Sequence, residues 1–434
     1  MRQPTRRSFL AATGMSALTA ALATSLASCS NPAATDSNGQ TTLNFFQYKG
    51  EALEDFQKLI DQFHQENPNI RVIQNQVADA ETAIRTLLVK DRAPDVITLN
   101  GNGSYGQLAK AGVFHDFAAD AVTGTLDPNV QNILAALGSK DGEVNGLGYT
   151  NNANGIIYNR AIFAERGLQP PETWDELIEI CEKLQAAGVT PFAGTLADSW
   201  TVMPSWNAIG AYAAQDGFFD KMRAEGENVG PSSPVSFSKD FPDAMAKQAQ
   251  LYGYAQDGFR GATYDDGSAL FANGNVAMLM QGIWALSPVK NINPDIDAAI
   301  FPYPVPSDPA DRVLVSGVDV VVTMPKNGAK QEAALTFINF LFRRDIIEQF
   351  AAAQTVFPSV QGAALSDDPA LQSVAPYFEA NKITGFIDHQ IPPAIPLTGI
   401  IQQAVFDGNG EQAMNTLDNE WRKVAARTIP VTEG

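Results

Sequence analysis

An α/β fold is what this sequence predicts, and three observations lead there. From Leu43 onward, short apolar segments of strand length alternate with amphipathic segments of helix length. Over 434 residues the chain is 45% hydrophobic and 18% charged, enough apolar material for a large core in two or three domains. Its 34 glycines and 26 prolines supply turns between many short elements.

The first elements set the pattern. "LNFF" (residues 43–46) reads as a strand, and Leu53, Phe56, Leu59, Ile60 and Phe63 then recur at helical spacing. After the turn "NPNI", "RVIQNQV" gives a second strand, "AETAIRTLLVK" a second helix and "DVITL" a third strand. Such βαβ alternation predicts a parallel sheet with right-handed crossovers.

Further along, Thr173 and Glu176 have capping-box spacing, and Leu177, Ile180, Cys181 and Leu184 form a buried helical stripe. The next hundred residues read as aromatic-rich and helical. "FPYPVP" (residues 301–306) reads as a stiff connector, "VLVSGVDVVVTM" as strands, and "KQEAALTFINFLFRRDIIEQFA" as one long helix.

The amino terminus carries an address. Arg2, Arg6 and Arg7 precede an apolar run from Ser8 to Ser28 that lacks acidic residues, the layout of an export signal. The adjacent pair Arg6-Arg7 resembles a twin-arginine signal. Leu26-Ala27-Ser28-Cys29 resembles a lipobox, in which Cys29 would be acylated and two lipid chains would hold the protein on a membrane. A Cys29–Cys181 disulfide is the rival reading, but Cys181 sits on the apolar face of its helix. Loss of residues 1–28 would remove three arginines and no acids, taking the net charge from −19 to −22. Residues 30–41 read as a polar tether of at most ~40 Å.

Strong acidity argues against nucleic-acid binding, since no Lys/Arg stripe is present to neutralise phosphates. His64, His115 and His389 stand in no metal spacing and read as surface or helix-end residues, so neither metal nor cofactor is expected. "SFSK" (residues 236–239) lacks the companion motifs of a serine nucleophile. "GNGSYG" (residues 101–106) has Gly-x-Gly-x-x-Gly spacing but follows the third strand, not the first. It reads as a glycine-rich turn at a strand end, the kind that lines a crevice without holding a nucleotide.

Longer blocks carry a resemblance. "GEVNGLGYTNNANGIIYNRAIFAERGLQPPETWDELIEICEKLQAAGVTPF", "FANGNVAMLMQGIW", "SGVDVVVTMPKNGAKQEAALTFINFL" and "FQKLIDQFHQENPNIRV" together resemble the extracellular solute-binding proteins of carbohydrate ABC transporters. The resemblance runs from Leu43 to the carboxyl terminus. It implies a two-lobed periplasmic-binding-protein-like (type II) fold with crossing hinge strands. Residues 1–28 would be the signal peptide and 29–41 the tether. Residues 42–149 with 307–352 would form one lobe, and 150–306 with 353–434 the other.

The same resemblance implies a site between the lobes, binding a carbohydrate without breaking it. Gln47, Tyr48, Lys49 and Glu51 would face the cleft after the first strand, and Asn100, Gly101 and Asn102 after the third. Tyr149, Thr150 and Asn151 would form its floor. Trp284 is the foremost candidate for a sugar-stacking platform, with Trp200 and Trp206 as further aromatics. Gly317, Asp319 and Phe357 would contribute from the later crossings. Aromatic faces suit the C–H side of a sugar, while amides and carboxylates suit its hydroxyls. The implied partners are permease subunits and, through Cys29, the membrane; a monomer is expected. A surface glycan hydrolase, or a receptor for a polyamine or a phosphodiester, remains open at this point.

Overall fold

The computed structural model describes residues 39–425 apart from Ala78 and Asp91. The export segment and Cys29 lie outside the described residues. Strands β1 (Thr41–Gln47), β2 (Ile70–Gln76), β3 (Val96–Leu99) and β4 (Leu147–Asn151) come first. β5 (Ile156–Asn159), β6 (Thr190–Ala193), β7 (Val276–Leu279) and β8 (Ala298–Phe301) follow, then β9 (Leu314–Val315), β10 (Val318–Thr323), β11 (Phe357–Pro358) and β12 (Ile383–Thr384). They form a six-stranded sheet in the order β11-β4-β10-β3-β1-β2, a four-stranded sheet β6-β7-β5-β8, and a pair β12-β9.

The opening βαβ units behave as read: β1 pairs in parallel with β2 and β3. The first sheet is nevertheless mixed, not parallel throughout, because β10 returns from the second sheet and runs antiparallel to both β3 and β4. Both faces are covered. Phe45, Tyr149 and Val320 pack with Phe56, Phe337 and Phe350 on one face, and Phe46, Ile97 and Val321 with Tyr105 and Phe114 on the other.

The second sheet is covered on one face by helices rich in aromatics, and the carboxyl-terminal helices (Leu397–Asp407 and Gly410–Ala425) pack into the same core through Leu397, Ile401, Leu417 and Trp421. Cys181 is fully buried there, and burial pushes its thiol up to about 12.

Local chemistry explains several elements. Thr173 Oγ1 accepts the Glu176 amide, but Glu176 reaches back to the amide of Glu172, so only half of the expected box forms. The expected single helix after Lys330 is two, Gln331–Leu341 and Arg344–Gln354. Phe340, Leu341 and Phe342 are all buried where the first helix ends, and extended Arg343 turns the chain while pairing with Glu66 and Asp345. In "SFSK", Ser236 caps a short helix, and buried Asp418 accepts the amides of Phe237 and Ser238.

Two crossings between the sheets lie side by side. The Asn152 amide donates to Gly317 and that of Asn154 to Val315, while Asn152 Oδ1 accepts the Gly317 amide. This ladder joins the end of β4 to the start of β10 and fixes the floor between the two sheets.

Candidate functional site: a cleft between the two sheets

A cleft of about 800 Å³ opens above these crossings, near the upper end of the range for small-molecule sites. One wall comes from loops at the carboxyl ends of β1 and β3, where crevices in α/β sheets arise. Tyr48, Lys49 and Glu51 follow β1; Asn100 and Asn102 follow β3; Asp319 comes from β10. Asp319 is aimed by a bulge. The register of β10 on β4 shifts on either side of Val320, leaving Asp319 without a strand partner and free to turn toward the cleft.

Lys49 Nζ lies 2.6 Å from Asp319 Oδ2 and 3.3 Å from Glu51 Oε1, and the Tyr48 hydroxyl donates to the Asp319 carbonyl at 2.5 Å. Burial opposes the charge on Lys49, but Asp319 and Glu51 outweigh it and hold its pKa above the ordinary lysine value. Burial, reinforced by the same two carboxylates, raises the Tyr48 phenol well above its usual range. Both groups therefore stay protonated, as donors. On the same wall Asn102 caps the helix Gly103–Lys110, its Oδ1 accepting the amides of Ser104 and Tyr105. Its Nδ2 donates to Glu81 at 2.7 Å. The glycine-rich turn is thus a helix start.

The facing wall belongs to the second sheet and its helices. Trp200, 43% exposed, is the largest side chain left open there, and its ring lies 5.0 Å from that of Tyr264. The Tyr264 hydroxyl is buried without a partner. Its pKa is raised well above the usual value, by burial first and then by the charges of Glu51, Asp265 and Asp319. Trp284 also lines the cleft, but most of it is packed in the core, with Nε1 donating to Gln281.

The remaining wall is a proline-rich strap, Phe386 to Gly399, which sequence reasoning did not single out. His389, read from sequence as a surface or helix-end residue, is on this strap; burial lowers its pKa, against the opposing pull of Asp388 and Glu81. Asn152, Ser104, Met203, Pro204 and Asn207 also line the cleft and were not anticipated. The one local signal was the stiff "HQIPPAIPLTG" run.

Other anticipated residues lie behind the walls. Gln47 is buried beneath them with Oε1 unpartnered, as is Asn151 Oδ1 at the end of β4. Gly101 abuts β10 so closely that a Cβ would stand 2.6 Å from the Val318 carbonyl. Tyr149 is wholly buried against Phe56, Phe342 and Phe350, and buried Thr150 pairs with Val320 and Pro358. Trp206 stacks on Phe241 in the core of the second sheet. Gly317 packs against Phe386, and half-buried Phe357 against Phe378.

Among the described residues no group of three or more His, Cys, Asp or Glu side chains is placed to hold a metal ion, and no helix is long and apolar enough to cross a membrane.

Two sheets joined by adjacent crossings around a cleft of carboxylates, amides and indoles define a two-lobed binding protein. The chain belongs to the bacterial extracellular solute-binding protein family, whose profile matches residues 49–346. The multiple sugar-binding protein of Streptococcus mutans is 26% identical over 356 residues, covering 80% of this chain and 82% of its own. The melibiose/raffinose/stachyose-binding protein MelE of Bacillus subtilis is 24% identical over 315 residues, 70% of each chain. Among solved structures, RafE with raffinose matches at a TM-score of 0.79 and 22% identity, covering 88% of this chain and 99% of that one. A Bacillus licheniformis sugar transporter protein with stachyose matches at 0.71 and 18%, covering 88% of this chain and 100% of that one. These likenesses establish the two-lobed fold.

Proposed function

We propose that this protein is an extracytoplasmic receptor that holds an oligosaccharide between two lobes and hands it, unchanged, to an ABC importer. The observation that carries this reading is Trp200, a large exposed indole on a cleft wall whose opposite side presents Lys49, Glu51, Asn100, Asn102 and Asp319. An indole face takes the C–H side of a sugar ring, and carboxylates and amides take its hydroxyls. A volume near 800 Å³ suits a ligand of about two to four rings on the scale of drug-sized molecules. The sugar-binding relatives support the same reading. Gln47, Gly101, Tyr149, Thr150, Asn151, Trp206, Gly317 and Phe357 would act as support behind the contact residues, and Trp284 as both core and platform.

Four carboxylates line the cleft (Glu51, Glu81, Asp319 and Asp388) against one lysine, which disfavours a phosphodiester. Glu81 is already engaged by Asn102 and Ser104, and Asp319 by Lys49, so less free charge remains for a polyamine than the count implies. We further propose that the lobes are 42–149 with 307–352 and 150–306 with 353–434, with one adjustment. Because β11 pairs with β4 and Gln361 bonds to Thr125, the last crossing is set after residue 361. Acylated Cys29 would tether a monomer to the membrane through residues 30–41 after twin-arginine export. That part rests on the sequence alone.

A thermal-shift screen of mono- and oligosaccharides, a polyamine and a glycerophosphodiester tests the reading. A ligand at 100 times its dissociation constant stabilises by ~2.7 kcal/mol. A shift with a neutral oligosaccharide supports the proposal; shifts only with the polyamine or the phosphodiester, or release of cleaved sugar, would overturn it.

A further inference from the structure

The strap bounds the cleft on one side and a second cavity on the other. That outer groove, of about 600 Å³, shares Gly103, His389, Ile391, Pro392 and Pro393 with the cleft and is otherwise lined by different residues, among them Gln107, Lys110 and Arg223. A short stretch of chain facing one glycine is therefore all that separates two spaces that would otherwise form one channel.

The strap is fastened to the second lobe. Ile387, Ile391, Ile395 and Leu397 are buried in that lobe's core, the Asp388 amide donates to Asn207, and Gln390 accepts from Arg223. Its prolines stiffen a tight turn, closed where the Ile395 amide donates to the Pro392 carbonyl. Its free edge meets the first lobe. A Cβ at Gly103 would stand 3.5 Å from both the His389 carbonyl and Pro393 Cγ, and one at Gly317 would stand 3.0 Å from the Phe386 ring. The wall thus has two halves, one on each lobe, and is complete only where the lobes meet.

We propose that the contact of Pro393 with Gly103 is the end wall of the binding cleft and sets the longest sugar the receptor can enclose. This rests on the reading of the cleft as an oligosaccharide site. A chain that fills the cleft lets strap and glycine meet. A chain one or more rings longer must lie between Pro393 and Gly103, where it holds the lobes apart and forfeits the contacts made only when they close. Pro393 and Gly103 are specificity-determining residues on this account, although neither offers a hydrogen bond to the ligand.

The test is calorimetric titration with α-linked gluco- and galacto-oligosaccharides of one to six rings. For the native protein, affinity rises with ring number and then falls by at least about tenfold once the cleft is full, the scale on which pockets reject excess bulk. The Pro392→Gly/Pro393→Gly variant should regain at least that factor for the longer sugars relative to the shorter ones. Gly103→Val, which thickens the other half of the wall, keeps the question decidable if the strap variant does not fold. It should weaken the longest accepted sugar most. Overturning results are a native profile with no upper limit, a folded strap variant with the native profile, or a Gly103→Val loss equal at every length. Absence of binding at every length would instead strike the sugar reading, and the inference with it.

Discussion

Replacing Lys49 with methionine asks whether charge holds the first-lobe wall of the cleft in place. The Lys49 side chain is 3% exposed and that of Asp319 6%, so water screens their 2.6 Å contact very little. Methionine keeps the length and bulk of the lysine stem but leaves Asp319 as a buried anion without its partner, which costs about 3–5 kcal/mol. Asp319→Asn should cost less, about 1–3 kcal/mol, because Glu51 stays 3.3 Å from the ammonium as a counter-ion. The double change Lys49→Met/Asp319→Leu should recover most of the loss, since a buried pair replaced by apolar side chains of similar size is often neutral. Urea unfolding followed by tryptophan fluorescence gives all three values and hence the coupling. The pH dependence has a definite sign. With a folded pKa above the ordinary 10.5, Lys49 contributes stability that is complete below that value and lost as pH rises through the folded pKa, so the native–variant gap narrows only in strong alkali. A Lys49→Met loss below about 1 kcal/mol, or a double variant as unstable as the two losses combined, would refute the reasoning.

Two further outcomes are expected. Tyr264→Phe removes a buried hydroxyl that has no protein partner, so stability should hold or rise slightly; a melting curve checks this, and a loss above about 1 kcal/mol would contradict it. His389, with burial lowering its pKa below 6.5, stays neutral in the folded state while the unfolded chain takes up a proton, so stability should decline as pH falls below about 6.5, by up to ~1.4 kcal/mol per unit from this group. His389→Gln should flatten that decline, and an unchanged slope would remove the histidine from the account.

Much of the first lobe was legible because its strands and helices carry strong periodicity: Phe45 and Phe46 do face opposite cores, and Phe56, Leu59, Ile60 and Phe63 do form the buried stripe. Strand direction was not legible. Nothing in "SGVDVVVTM" says that it returns antiparallel between β3 and β4, since that depends on where the chain comes back from the second sheet. Nor does composition reveal the bulge that turns Asp319 toward Lys49; it follows from register. The indoles show the same limit. Trp200 opens on the cleft and Trp206 is sealed in the core, although one helical segment carries both, because only packing decides which side of it faces the gap. The strap was hidden for a different reason. Its prolines at 392, 393 and 396 erase both periodicities, so nothing in the sequence marks residues 386–399 as a cleft wall.

The most direct measurement is calorimetric titration of a neutral oligosaccharide into the native protein and into Trp200→Ala. Since Trp200 is 43% exposed, its loss should leave folding nearly intact while removing a stacking face worth about 0.5–1.5 kcal/mol beyond its area. One saturable site per chain, weakened at least about tenfold in the folded variant, is the expected result. Native-like affinity in Trp200→Ala, or no heat from any neutral sugar, would contradict the account.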